Sequence, residues 1–538
     1  MTAQIQSGRK WLALVACVLA AAWVRLLLMN DWLGYDESVN YMIGMSPSWD
    51  EFLYVYKSRA HPPLSYLLSM PFLALGQTAA LARGAALLCG LVNVALVFAV
   101  LQEGLRRDEE GAEASLPAVA MGTLLLAAVP IFALLSVRVR GYSLCMVFVW
   151  ASFWLYFRMR ASNYGRTRDH VALAALFLLA AFTEFAVALH LLALSALLYT
   201  PLVLGLARRG EWRRVVLTVT PVAAAGLVSL ANYAWQMGGA DLDYGHTQTA
   251  VYAGGLLDLP AIAVFLFERL PVQMGSVLPN PWGLATLALL PLAFTRLVGH
   301  SALAVRARAL AGYALIALAC AFVASLLGKF PFGGVPRHGV VIFPGILLAA
   351  LLTLAALLRQ QLPSGAARVW GAALLGAAAA PALAVGLTAA LPGDHDRETL
   401  RGALDVAAFE AEPGPVVTNF GGRAYLSWWF LNGREPRRMY QDVTNLPVFD
   451  YEGISVVRAL SDPQTLRTAL FYTQHFETTW IFLAFRTPQE AVATQAFLER
   501  SLAGVPGVAT SFSRKPEWLT DVLYLKLERS PAAPLASR

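Results

Sequence analysis

The chain has 538 residues, 58% of them apolar and only 14% charged, with a mean hydropathy of +0.57. Soluble domains of that composition would lack the polar groups to cover their surface, so the bilayer is the expected solvent for most of the molecule. The net charge of +7 is spread in short basic clusters between apolar stretches, which suits lipid headgroups and argues against a nucleic-acid partner.

A hydrocarbon core about 30 Å thick takes roughly 20 apolar residues per helix. Candidate spans run over 11–30, 79–101, 116–136, 141–157, 170–184, 186–206, 215–235, 281–297, 310–328, 339–358 and 369–391. Arg9-Lys10 before an apolar run is also how a signal peptide begins, but no Ala-x-Ala site follows, so the run is kept as the first span. Residues 170–206 are almost unbroken apolar sequence, too long for one helix. Arg158, Arg160, Arg166 and Arg168 precede them, and Arg208, Arg209, Arg213 and Arg214 follow. Basic flanks belong in the cytoplasm, so both ends should lie inside. The pattern predicts a hairpin bent near Thr183-Glu184.

With the N-terminus inside, about eleven spans place most basic loop residues in the cytoplasm and the C-terminal region outside it. The stretch 260–280, interrupted by Glu268-Arg269 and Pro271, is predicted to be an interfacial helix. Cys17, Cys89, Cys145 and Cys320 all fall in apolar segments without metal-ligand spacing, which predicts buried packing. Residues 1–391 thus form a transmembrane domain.

Residues 392–538 change character. Pro392-Gly393 and Pro413-Gly414-Pro415 precede short runs at Val416-Val417-Thr418, Trp480-Ile481-Phe482-Leu483 and Val522-Leu523-Tyr524-Leu525, with a helical pattern over Pro488–Leu502. This predicts an extracytoplasmic α/β domain that stabilises the protein or recognises an acceptor.

The first outward loop, 31–78, carries Asp36-Glu37 about six residues beyond the first span, followed by His61-Pro62-Pro63-Leu64. An acidic pair at the membrane surface meets the head group of an amphiphilic substrate, and a carboxylate there can act as a general base. Arg138 and Arg140 follow the third span and Arg337-His338 precedes the tenth, all on the side of Asp36. Outward arginines run against the usual charge bias, and the planar guanidinium suits phosphate. Arg25 and Arg83 lie in or at the edge of spans, where a charge marks either function or snorkelling to the interface. Glu184 and His190 flank the predicted bend.

Taken together, Asp36-Glu37, His61-Pro62-Pro63-Leu64-Ser65-Tyr66, Arg83, Arg140-Gly141-Tyr142 and the segment Phe330–His338 followed by Phe343-Pro344 resemble the bacterial protein O-mannosyltransferase and aminoarabinose-transferase group over about residues 10–360. The resemblance implies a GT-C fold and an inverting glycosyltransferase. It implies a polyprenyl-phosphate-linked sugar as donor, a glycan, lipid or protein as acceptor, and transfer on the outer face of the bacterial cytoplasmic membrane. Asp36 would be the base and Glu37 would orient the acceptor. His61, Arg138, Arg140, Arg337 and His338 would hold the donor phosphate, supported by Arg83, Tyr142 and Glu184. No cofactor is implied; Asp36, Glu37 and His61 offer metal-binding groups, but no spacing calls for a metal. The sequence departs from the group where Val137-Arg138 replaces a Gln-Glu-like pair and where Glu184 replaces a histidine, so acceptor and sugar do not carry over. A flippase of lipid-linked sugars is the alternative, although it would favour charges at mid-span and internal repeats. An assembly subunit would leave the acidic and arginine clusters without a purpose.

Overall fold

The computed structural model describes residues 2–29, 63–75, 79–106, 114–162, 164, 166–184, 186–237, 259–278, 280–326, 339–362, 365, 376, 380, 384, 415–418, 438–441, 447–451, 454–458, 462–485, 488–503, 505–506, 508–516 and 521–529. The chain divides into two compact units. The first includes Met1–Asn30, Val55–Ser69 and Arg83–Leu391, and the second is built on Pro392–Arg538.

The first unit is helical. In chain order come α1 (Thr2–Met29), α2 (Leu64–Leu75), which continues beyond the unit, α3 (Ala79–Gly104), α4 (Leu116–Ala127), α5 (Pro130–Leu135), α6 (Tyr142–Ala161), α7 (Thr167–Ala181), α8 (Val187–Arg208) and α9 (Trp212–Met237). There follow α10 (Leu259–Val264), a π-turn at Phe265–Arg269, α11 (Leu270–Val277), α12 (Trp282–Leu292), α13 (Ala302–Leu326) and α14 (Phe343–Gln361). Among the described residues, seven helices are long and apolar enough to cross a membrane: Ser7–Met29, Ala80–Gly104, Tyr142–Ala161, Val187–Arg208, Trp212–Ala234, Ala302–Leu326 and Phe343–Gln361.

Three other expected spans form helices of fifteen residues or fewer. The stretch 116–136 is divided, because Pro130 cannot continue α4 and instead opens α5 at its first position, where its missing N–H costs nothing. The segment 170–184 becomes the fifteen-residue α7, and 281–297 shortens to the eleven-residue α12 with a 3₁₀ turn at Arg296–Val298. The expected span 369–391 lies almost wholly outside the described residues. The predicted hairpin is present: α7 ends at Ala181, and α8 begins at Val187 after a bend whose Glu184 N–H donates to Ala180 O at 3.0 Å. The predicted interfacial segment 260–280 is helical through Leu259–Val277 with the π-turn at its centre.

Several large apolar side chains face outward, as lipid permits, while the interior mixes large rings such as Trp150 and Phe153 with small residues. Trp11 and Trp23 of α1 and Leu227 of α9 stay more than 60% exposed. On α13, Ala304, Ala307, Ala311, Ala314, Ala317 and Ala321 are fully buried at spacings of three and four, a small-residue face that permits close helix approach. Opposite, Gly345 of α14 sits against the Tyr313 and Phe153 rings so closely that a Cβ would overlap them. The four cysteines are free, with Cys17, Cys89 and Cys145 buried and Cys320 half-buried.

The last carbonyls of a helix have no partner within it. Four arginines each take up one such end. Arg83 Nη1 donates to Met29 O of α1 at 2.8 Å and Arg25 Nη2 to Ala127 O of α4 at 3.3 Å. Arg306 Nη1 donates to Gly104 O of α3 at 3.3 Å and Arg308 Nε to Ala293 O after α12 at 3.2 Å. A cation at a helix C-terminus also meets the negative end of the dipole. Arg25 is buried, 2% exposed, with its head at the end of α4.

The second unit holds β1 (Val416–Thr418), β2 (Arg438–Gln441), β3 (Pro447–Tyr451), β4 (Ile454–Arg458), α15 (Asp462–His475), β5 (Thr478–Phe485), α16 (Pro488–Leu502), β6 (Val508–Pro516) and β7 (Asp521–Arg529). The sheet order is β2-β3-β4-β1-β5-β7-β6. β1 runs parallel to both β4 and β5, and the outer pairs are antiparallel. The central β1 is buried at all three residues, as a strand covered on both faces should be. Leu523, Leu525 and Leu527 alternate along β7 into a core with Ile481, Leu483, Ala469 of α15 and Leu498 of α16. The α/β domain predicted for the C-terminal region is thus present, with its strands and helix where the apolar runs stood.

Candidate active site

Of the predicted site residues, Asp36, Glu37, His61, Arg337 and His338 lie outside the described residues. Arg83, Arg138, Arg140, Tyr142 and Glu184 are described, and their segments converge.

The turn between α5 and α6 is tight: Val137 N–H donates to Leu134 O at 3.1 Å and Arg140 N–H to Arg138 O at 2.7 Å. Val137 and Val139 are buried at 0% and 4% exposure, while the alternating Arg138 and Arg140 are half-buried. The turn thus buries its valines and leaves its arginines partly exposed. Gly141 follows. A Cβ there would stand 2.7 Å from Thr183 O and 3.4 Å from Ser65 Oγ, so only glycine allows the turn to touch both the α7–α8 bend and the start of α2. The bend and α2 are joined directly, with Leu64 N–H donating to Phe182 O at 3.1 Å. The Glu184 carboxylate, half-buried in that bend, lies near enough to Cys145 on α6 to act on it electrostatically.

The start of α3 joins from the other side. Ser143 Oγ, next to the buried Tyr142, donates to Ala86 O at 2.9 Å, and Asn93 Nδ2 donates to Ser143 O at 2.8 Å. Arg83, one turn before Ala86, is fully buried and holds the last carbonyl of α1. Thus Met29 and Pro63-Leu64, the described residues on either side of 30–62, are both held at this cluster. The second half of the motif His61–Tyr66, Arg83, the Arg138–Tyr142 turn and Glu184 come from four distant stretches of sequence to one end of the helical unit.

Sequence reasoning missed a second polar group behind the cluster. His190 Nε2 lies 2.7 Å from Ser152 Oγ, and His190 Nδ1 lies 2.7 Å from Tyr313 OH. All three residues are buried. Ser152 spends its proton on Val149 O at 2.7 Å, so it must accept from Nε2–H, and Nδ1 then accepts from the tyrosine hydroxyl. The histidine is visible in the sequence, but its partners stand 38 and 123 residues away. Among the described residues, no cluster of three or more His, Cys, Asp or Glu could hold a metal ion.

No family model matches the sequence, and no curated protein matches it. Among solved structures, ArnT from Cupriavidus metallidurans bound to undecaprenyl phosphate is similar at 16% identity and a TM-score of 0.50, covering 98% of each chain. ArnT from the same organism in the apo state is similar at 17% identity and a TM-score of 0.51, covering 96% of this chain and 98% of its own. An Archaeoglobus fulgidus oligosaccharyltransferase stands further off, at 12% identity and a TM-score of 0.44, covering 96% of this chain and 88% of its own. The chain is a multi-pass membrane protein with the fold of ArnT, the GT-C type.

Proposed function

We propose that this protein is an inverting glycosyltransferase that moves a sugar from a polyprenyl-phosphate donor to an acceptor hydroxyl at the outer face of a bacterial cytoplasmic membrane. The observation that carries the proposal is the likeness, along nearly the whole chain, to an ArnT structure bound to undecaprenyl phosphate. The gathering of Arg83, Arg138, Arg140, Tyr142 and Glu184 with the flanks of the acidic loop supports it.

In this reading Asp36 takes the proton of the acceptor hydroxyl as its oxygen attacks the anomeric carbon from the face opposite the phosphate. The new C–O bond forms as the bond to the phosphate oxygen breaks, the anomeric centre inverts, and polyprenyl phosphate departs with the electron pair. Arg138 and Arg140, with His61, Arg337 and His338, balance the charge that grows on the leaving phosphate. Glu37 orients the acceptor, and Glu184 and Arg83 hold the segments that carry the arginines.

The test compares envelope glycans and lipid-linked sugars by mass spectrometry in cells carrying wild type, a deletion or Asp36→Asn. Loss of one sugar from a glycan in both mutants, with its lipid-linked donor accumulating, is the expected result. Normal glycans in Asp36→Asn would remove Asp36 from the role of base, and normal glycans in the deletion would remove the function.

A further inference from the structure

Arg25 needs more partners than the described residues give it. A guanidinium carries five N–H donors. Nη1 donates to Ala21 O at 3.1 Å and Nη2 to Ala127 O at 3.3 Å, while the buried Nε has no partner among the described residues. On α3, Asn93 shows the complementary shortage. Its Nδ2 donates to Ser143 O, yet its buried Oδ1 accepts from nothing described. Both side chains line one small cavity, together with Ser136, Met146 and Trp150. Ser136 Oγ gives its proton to Ala133 O at 2.7 Å, so its lone pairs remain as acceptors.

A glycine stands beside the Arg25 head and Ser136. A Cβ on Gly90 would lie 2.5 Å from Ser136 Cβ and 3.2 Å from Arg25 Nε, so any larger residue would push into the space beside the guanidinium. The free volume has room for about one water-sized sphere, which is too small for a phosphate or carboxylate. The rest of the lining is apolar, from residues that include Val94, Val97, Leu126, Ala127 and Phe132, and a buried water needs two to four polar partners. The lining residues carry one unspent donor, Arg25 Nε–H, and two acceptors, Asn93 Oδ1 and Ser136 Oγ.

We propose that the Arg25–Asn93–Ser136 cavity is a binding site for a single resident water, which completes the solvation of a guanidinium inside the membrane unit. The cavity adjoins the segment of the arginine turn and shares Asn93 with the cluster, but the proposal does not depend on the proposed function.

Radiolytic hydroxyl labelling of the purified full-length protein tests it, since radicals formed from a bound water label the side chains beside it. Met146 and Met159 share α6 and are both buried, at 2% and 0% exposure, but only Met146 lines the cavity. Met146 should be oxidised several-fold faster than Met159. Equal, slow oxidation of the two in wild type would overturn the proposal, whatever any variant does. Asn93→Leu, which removes an acceptor and fills the space, should bring Met146 down to the rate of Met159. Undiminished labelling of Met146 in that variant would trace the radicals to bulk solvent and would also overturn it.

Discussion

Removing the Tyr313 hydroxyl isolates the energy of one buried hydrogen bond. Tyr313→Phe keeps the ring that packs edge-on against Phe153, with centroids 5.1 Å apart, and opens no cavity larger than an oxygen. It leaves His190 Nδ1 without a donor, and Ser152 offers no relief because its proton is committed to Val149 O. Stranding a buried acceptor costs about 1–3 kcal/mol. Unfolding entropy grows with chain length, so in a unit this large the cost should lower the melting midpoint by roughly 1–4 °C. The buried free thiols of Cys17, Cys89 and Cys145 make a thiol-reactive fluorophore a direct reporter of unfolding. The sharper test repeats the substitution in a His190→Leu background. There the tyrosine hydroxyl is itself stranded, so Tyr313→Phe should cost little or restore stability. An equal loss in both backgrounds would refute the assignment of the hydroxyl to His190.

The proposed donor site yields a binding prediction. Arg140→Ala should weaken capture of polyprenyl phosphate by about 2–5 kcal/mol if a desolvated charge pair is lost, measured by titrating the lipid into purified protein. Gly141→Ala sets a Cβ against Thr183 O and should displace the arginine turn. Overpacking of about 1–3 kcal/mol should then appear as a drop in turnover, with the helical unit still folded by circular dichroism. Gly345→Ala drives a methyl into Tyr313 and Phe153 and should reduce the yield of monodisperse protein on size exclusion, which Gly205→Ala, with open space around it, should not.

What could be read in advance depended on whether the signal was local. The α7–α8 hairpin follows from one run of apolar residues too long for a single crossing between two arginine clusters, all within 158–214. The strands β1, β5 and β7 announce themselves as apolar runs between turn residues. The split of 116–136 was also local, at Pro130, but hydropathy averages over a proline and hides it. The arginines were the hardest to read. Arg25 and Arg83 stand out as charges in apolar surroundings, yet their partners are backbone carbonyls at the ends of other helices, and any residue type can supply a carbonyl. For the same reason the convergence of Arg140-Gly141-Tyr142 with Glu184 rests on Thr183 O and Phe182 O, which no sequence pattern marks.

The arginine caps bear on how the sequence can vary. Where Pro130 ends α4, the freed carbonyl of Ala127 and the Arg25 head answer each other's needs. Replacing Arg25 with leucine strands the carbonyl, and mending the helix by replacing Pro130 strands the cation. Each substitution alone is harmful, while the pair removes both liabilities at once. Positions 25 and 130 therefore form one unit of inheritance, and relatives should carry the arginine and the proline together or lack both.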